Sequence, residues 1–126
     1  MSSLNVIGNV QIGTNYAVTP GGSGGVDSAS VLFLNAGTYI VSASGYNPLD
    51  GNVTNQATSA VVARRNADNS YTELRLATSL SYRFNLCGIV TVDSNNTRVD
   101  LRVINWEGSS KQVQTNLFTF AAIRIK

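Results

Sequence analysis

The chain alternates. Over most of its length apolar and polar side chains exchange places every second residue, and no window repeats apolar positions at helical spacing over three turns. In "LNVIGNVQI" (4–12) Leu4, Val6, Val10 and Ile12 share one face. "SASVLFL" (28–34) and "TYIVSASGY" (38–46) flank an Asn-Ala-Gly turn, which predicts a hairpin or a corner. "TSAVVARR" (58–65) and "YTELRLA" (71–77) flank "NADNS", whose Asn and Asp residues suit tight turns. "SLSYRFNLCG" (79–88) sets Leu80, Tyr82, Phe84 and Leu86 against Ser79, Ser81, Arg83 and Asn85. "IVTV" (89–92) meets the turn "DSNN" (93–96). "TRVDLRVIN" (97–105) turns Val99, Leu101 and Val103 inward and Arg98, Asp100 and Arg102 outward. The chain closes on "LFTFAAIRI" (117–125).

Eight or nine short strands separated by turns at roughly 8–12 residues predict an all-β protein, a sandwich or a barrel. Pro20 and Pro48 both fall in expected loops, so no strand is interrupted. At 126 residues the chain makes one domain. "TPGGSGG" (19–25) divides it into an N-terminal arm or first strand (1–18), a Gly-rich connector (19–27) and a body (28–126). The glycines lack the following Gly-Lys-Ser/Thr and helix of a phosphate-binding loop.

Two strands depart from the simple pattern. An isolated sandwich strand buries one face and wets the other. In the last strand, Leu117, Ala121, Ile123 and Ile125 line one face while Phe118, Phe120 and Ala122 line the other. Tyr39, Val41 and Ala43 oppose Ile40 in the same way. Leaving the Phe pair in water would cost on the order of 3–5 kcal/mol. The expectation is that copies of the chain cover one another, with Tyr39, Tyr82, Phe118 and Phe120 at the contact.

Composition narrows the chemistry. Charged residues make up 13% of the chain, against a usual value of about 25%. The net charge of +2 is scattered, with Arg64-Arg65 as the one basic pair, which argues against a nucleic-acid partner. No run approaches the roughly 18 apolar residues of a membrane span, and no leader precedes the first strand, so synthesis in a cytoplasm and no membrane partner are expected. The chain has no histidine, which removes the commonest general base and metal ligand. Its single cysteine, Cys87, lies in apolar "FNLCGIV" and is expected to be buried and inert. The seven carboxylates lie mostly in turns or beside Arg, without the facing pair of a glycosidase. "NPLDGN" (47–52) and "DSNN" (93–96) read as ordinary turns rather than calcium loops. No enzyme activity and no cofactor are expected. Trp106, at the exit of the 97–105 strand, reads first as a hydrophobic plug closing the end of the fold. The alternative is that Trp106, with Tyr46, Tyr71 and Tyr16, offers aromatic surface for a ligand or partner, with Tyr46 and Trp106 as the candidate contacts.

"FLNAGTYIVSASG" (33–45) resembles the central motif of the tumour-necrosis-factor-like (TNF-like) jelly rolls, the superfamily that includes the complement-type globular heads. Phe33, Gly37 and Tyr39 match; Val41 and Ala43 stand where vertebrate members usually keep aromatics. "LFTFAAIRI" looks like the final core strand of that family, and the likeness spans about 28–126. It implies an antiparallel jelly-roll sandwich of eight to ten strands, assembling as a homotrimer around an apolar threefold axis. Similar short "AGTY" domains occur in bacteriophage fibres and capsid decorations and in bacterial surface proteins. The resulting expectation is a homotrimeric virion protein, made in the host cytoplasm, that decorates a capsid or forms a spike or fibre head. It would join other virion proteins through its arm, with a host surface glycan as a further expected partner. The alternative is a carbohydrate-binding module or bacterial adhesin head.

Overall fold

The alternating stretches become strands. The structure, a computed structural model, describes residues 7–21, 23–46, 58–79, 83–105 and 118–126. Among these residues there are nine strands: β1 (Val10–Ile12), β2 (Thr14–Asn15), β3 (Gly25–Leu34), β4 (Gly37–Tyr46), β5 (Thr58–Arg65), β6 (Tyr71–Ser79), β7 (Arg83–Val92), β8 (Thr97–Asn105) and β9 (Phe118–Arg124). They form two antiparallel sheets, one in the order β1-β9-β4-β7 and the other in the order β2-β3-β8-β5-β6.

The turn at Asn35-Ala36 is a corner rather than a hairpin. β3 and β4 lie in different sheets, as do β7 and β8 on either side of "DSNN". β5 and β6 do pair as a hairpin. The two corners are tied together. The Asn95 side chain accepts from the Ala36 backbone at 3.0 Å, and Asn35 accepts from the Asn96 backbone at 3.2 Å.

The segment read as an arm lies against its own body. β1 pairs with β9 and β2 with β3, so this short stretch passes from one sheet to the other at Gly13. A Cβ at Gly13 would crowd the Ser30 hydroxyl and the Phe120 ring, and the Gly13 amide donates to the Phe120 carbonyl. Only glycine fits that approach. β3 begins at Gly25, so the last residues of the expected connector belong to a strand paired with β8.

The core fills the space between the sheets. Leu32, Leu34, Val62, Val99, Leu101 and Val103 from one side meet Tyr39, Val41, Phe84, Val90 and Phe120 from the other. Phe84 and Phe118 pack with ring centroids 5.7 Å apart at a tilted angle, a favourable aromatic geometry.

This packing corrects the expected contact residues. Tyr39, Phe118 and Phe120 are buried inside a single chain, so they are core residues and not an oligomer contact. The larger aromatic side chains fill the space between the sheets, where they remove most apolar area from water. Tyr39 also satisfies its hydroxyl there, donating to the Asn35 carbonyl at 2.7 Å. Cys87 is likewise corrected: it is exposed. Alternation explains this, since Leu86 points inward and its neighbour must point out.

A candidate assembly surface on the four-stranded sheet

With the aromatics inside, β9 and β4 turn their second apolar faces outward. The ladders set Val10 opposite Ile123, Ile123 opposite Ile40, and Ile40 opposite Ile89. The result is a row of four β-branched aliphatics crossing β1, β9, β4 and β7. Their exposures are 52, 38, 38 and 67% in the same order from Val10 to Ile89. Ile12 and Ile125 extend the apolar area on either side and are also exposed. Among the described side chains of this face, the rest are small or uncharged: Thr38, Ser42, Ser44, Asn85, Cys87, Thr91, Thr119 and Ala121. Thr38 and Thr91 bridge neighbouring strands through their hydroxyls at 3.1 Å.

An aliphatic row without charge is unusual for a sheet facing water. Scattered exposed apolar residues are ordinary, but a contiguous patch marks a contact surface. Full burial of one such side chain is worth about 1.5–3 kcal/mol. Because these side chains retain between 38 and 67% of their area in water, covering the row would recover about that fraction of the full value for each.

The opposite sheet has a different outer face. The Asp100 carboxylate is fully buried there, although alternation places it on the outer side. The Ser28 hydroxyl donates to it at 2.6 Å and the Tyr71 hydroxyl at 2.8 Å. Arg98 grips both carboxylate oxygens, with Nε at 2.9 Å and Nη2 at 3.0 Å. That hydrogen-bonded contact holds the Arg98 guanidinium above its ordinary pKa. Arg102 stacks its guanidinium 3.7 Å above the Tyr71 ring. Tyr71 is therefore a strut of this network rather than part of an aromatic platform at a loop tip.

Of the other expected contacts, Tyr82 and Trp106 lie outside the described residues. Tyr46 ends β4, opposite Arg83 on β7, and its side chain lies outside the described ones. Tyr16 is half-exposed beyond β2. The row from Val10 to Ile89 was missed because its four members lie far apart in sequence. The signal for it was the second apolar face of β9, read with its two faces exchanged.

No protein-family model and no curated protein sequence matches this chain. Solved structures do. Murine APRIL superposes with a TM-score of 0.59 at 9% identity, covering 92% of this chain and 98% of that one. Eiger TNF from S. frugiperda gives 0.53 at 14% identity, covering 96% of this chain and 94% of that one. Rabbit GITRL gives 0.52 at 19% identity, covering 80% of this chain and 77% of that one. The fold is a TNF-like jelly roll. At these identities the likeness concerns the fold alone.

Proposed function

We propose that the chain is a non-enzymatic structural protein that assembles as a homotrimer through the outer face of its four-stranded sheet. Its place would be in a virion, as a capsid decoration or the head of a spike or fibre. The observation that carries the self-association is the uncharged aliphatic row Val10–Ile123–Ile40–Ile89. A charge on such a row would have to be desolvated in any contact, and the described face has none. The TNF-like resemblance supports threefold symmetry, with the isoleucine face replacing the aromatic residues first expected at the axis. The virion setting is supported by the low charge content and the likeness of the "AGTY" segment to short bacteriophage domains.

Light scattering coupled to size exclusion tests the assembly. The expected mass is three times the 13.4 kDa of one chain. A stable monomer at micromolar concentration would overturn the trimer. Neighbouring genes test the setting: capsid, portal or tail genes beside this one support it, and a metabolic operon opposes it.

A further inference from the structure

At one end of the sandwich, away from the isoleucine face, the β5–β6 turn and the β7–β8 corner flank an open cleft of about 660 Å³. Arg64 and Arg65 enter it from the end of β5, and Arg98 from the start of β8. Asn66, Asn69, Asn95 and Asn96 contribute from the two turns, and Asp93 stands at the corner. Among the described residues, Ala67 is the only apolar side chain in the lining.

The walls are held in place before any ligand arrives. In the first turn, the Asn66 amide group donates to the Ser70 and Thr72 hydroxyls, each at 3.0 Å. Asn69 takes a left-handed backbone conformation, with φ of 68°. In the corner, Asn96 does the same at 56°, and the Thr97 hydroxyl donates to the Ser94 carbonyl at 2.6 Å. A site built on such turns loses little freedom on binding.

The charges are unequally employed. Arg98 is already neutralised by the buried Asp100 carboxylate. The Arg64 side chain has a long hydrogen bond to Asn66 at 3.4 Å. The Arg65 side chain, whose backbone pairs with Tyr71, makes no hydrogen bond or ion pair among the described residues. Two guanidinium groups against the single Asp93 carboxylate leave the cleft with an excess of one positive charge. That balance suits a single negative charge and is poor for a polyphosphate. Amide groups on both walls suit hydroxyls, and the lining has no ring on which a base could stack.

We propose that this cleft binds a carboxylate-bearing sugar, with Arg65 taking the carboxylate and Asn69, Asn95 and Asn96 taking ring hydroxyls. The volume lies within the range of clefts that hold small ligands. The site is separate from the assembly surface, so it stands or falls without it.

The test titrates the full-length protein, labelled with ¹⁵N, with D-glucuronic acid, glucose and glucose 6-phosphate at millimolar concentrations. Glucuronic acid is expected to shift amide signals in 64–69 and 93–98, with glucose weaker by about tenfold, the loss typical of one charge-assisted hydrogen-bonded contact. Arg65→Gln should weaken glucuronic acid to the level of glucose. Asp93→Asn should tighten it by a few-fold, an opposite change that a folding defect cannot imitate. No shifts in the two turns, or equal affinity for glucose and glucuronic acid, would overturn the proposal. Stronger binding of glucose 6-phosphate would overturn the carboxylate class and make the cleft a phosphate site.

Discussion

Ile40 on β4 and Ile123 on β9 stand opposite one another on the outer side of the four-stranded sheet, each still 38% exposed. Their own strands place Tyr39 and Ala122, one residue away, in the core. Both strands therefore carry two apolar faces, and the chain itself covers one of them.

Ile40→Lys is the direct probe of the uncovered face. An ammonium group in the middle of the row would have to be desolvated without a partner, at a cost of several kcal/mol. We expect the variant to run as a monomer in light scattering, with an unchanged far-ultraviolet circular dichroism spectrum. Glu73→Lys, on exposed β6 of the other sheet, should leave the assembly intact. An Ile40→Lys protein that remains an oligomer would place the contact elsewhere.

Phe120→Ala should act on folding and not on assembly. Phe120 is fully buried within one chain, and truncating such a ring costs about 3–5 kcal/mol. Measured in the Ile40→Lys background, the urea midpoint should fall sharply and should not depend on protein concentration.

Gly88→Ala tests how closely the sheets meet. Gly88 on β7 faces Leu76 on β6, and an added methyl would overlap the end of the leucine side chain. Overpacking of this kind costs about 1–3 kcal/mol. The double variant Gly88→Ala/Leu76→Ala should be less destabilised than the sum of the two single changes, because each relieves the other.

Asp100→Asn keeps the shape of the outer network and removes its charge. Arg98 then faces an amide where it held a carboxylate, and the Ser28 and Tyr71 hydroxyls lose their strong acceptor. A loss of about 1–3 kcal/mol in chemical denaturation is expected at neutral pH. Tyr71→Phe should cost less, about 1 kcal/mol, since the other donors remain.

The Asp68 turn should respond to acid. Hydrogen bonds from the Ser70 hydroxyl and backbone amide hold the Asp68 carboxyl below its usual pKa. A lowered folded value means the contribution is fully present above the unfolded pKa of about 3.9 and is lost as pH falls through the folded one. Amide exchange at Ser70 should therefore quicken only below that unfolded value, beyond the intrinsic pH effect on exchange. Asp68→Asn should abolish that added dependence.

Much of this molecule could be read along the chain. Strand existence, the inward set Val99, Leu101 and Val103, and the β5–β6 hairpin follow from alternation and turn chemistry. The two corners could not be read so easily, because Asn-Ala-Gly and Asp-Ser-Asn-Asn suit a hairpin as well as a change of sheet. Asp100 was legible as outward-pointing but not as buried. Its burial depends on Ser28 and Tyr71, which arrive from strands remote in sequence. The cleft had a trace in the Arg64-Arg65 pair, yet its other wall comes from the corner at 93–96.

The sequence alone determined that the closing strand is apolar on both faces, that charge is scarce and that histidine chemistry is absent. It did not determine which face of that strand is inside. A two-residue period is symmetric between its faces, so phenylalanine and isoleucine on alternate positions satisfy it equally. The tertiary structure decided the matter by setting β9 between β1 and β4, with its ring-bearing face toward the other sheet. The bulky rings fill that gap, and the isoleucines are left to be covered from outside.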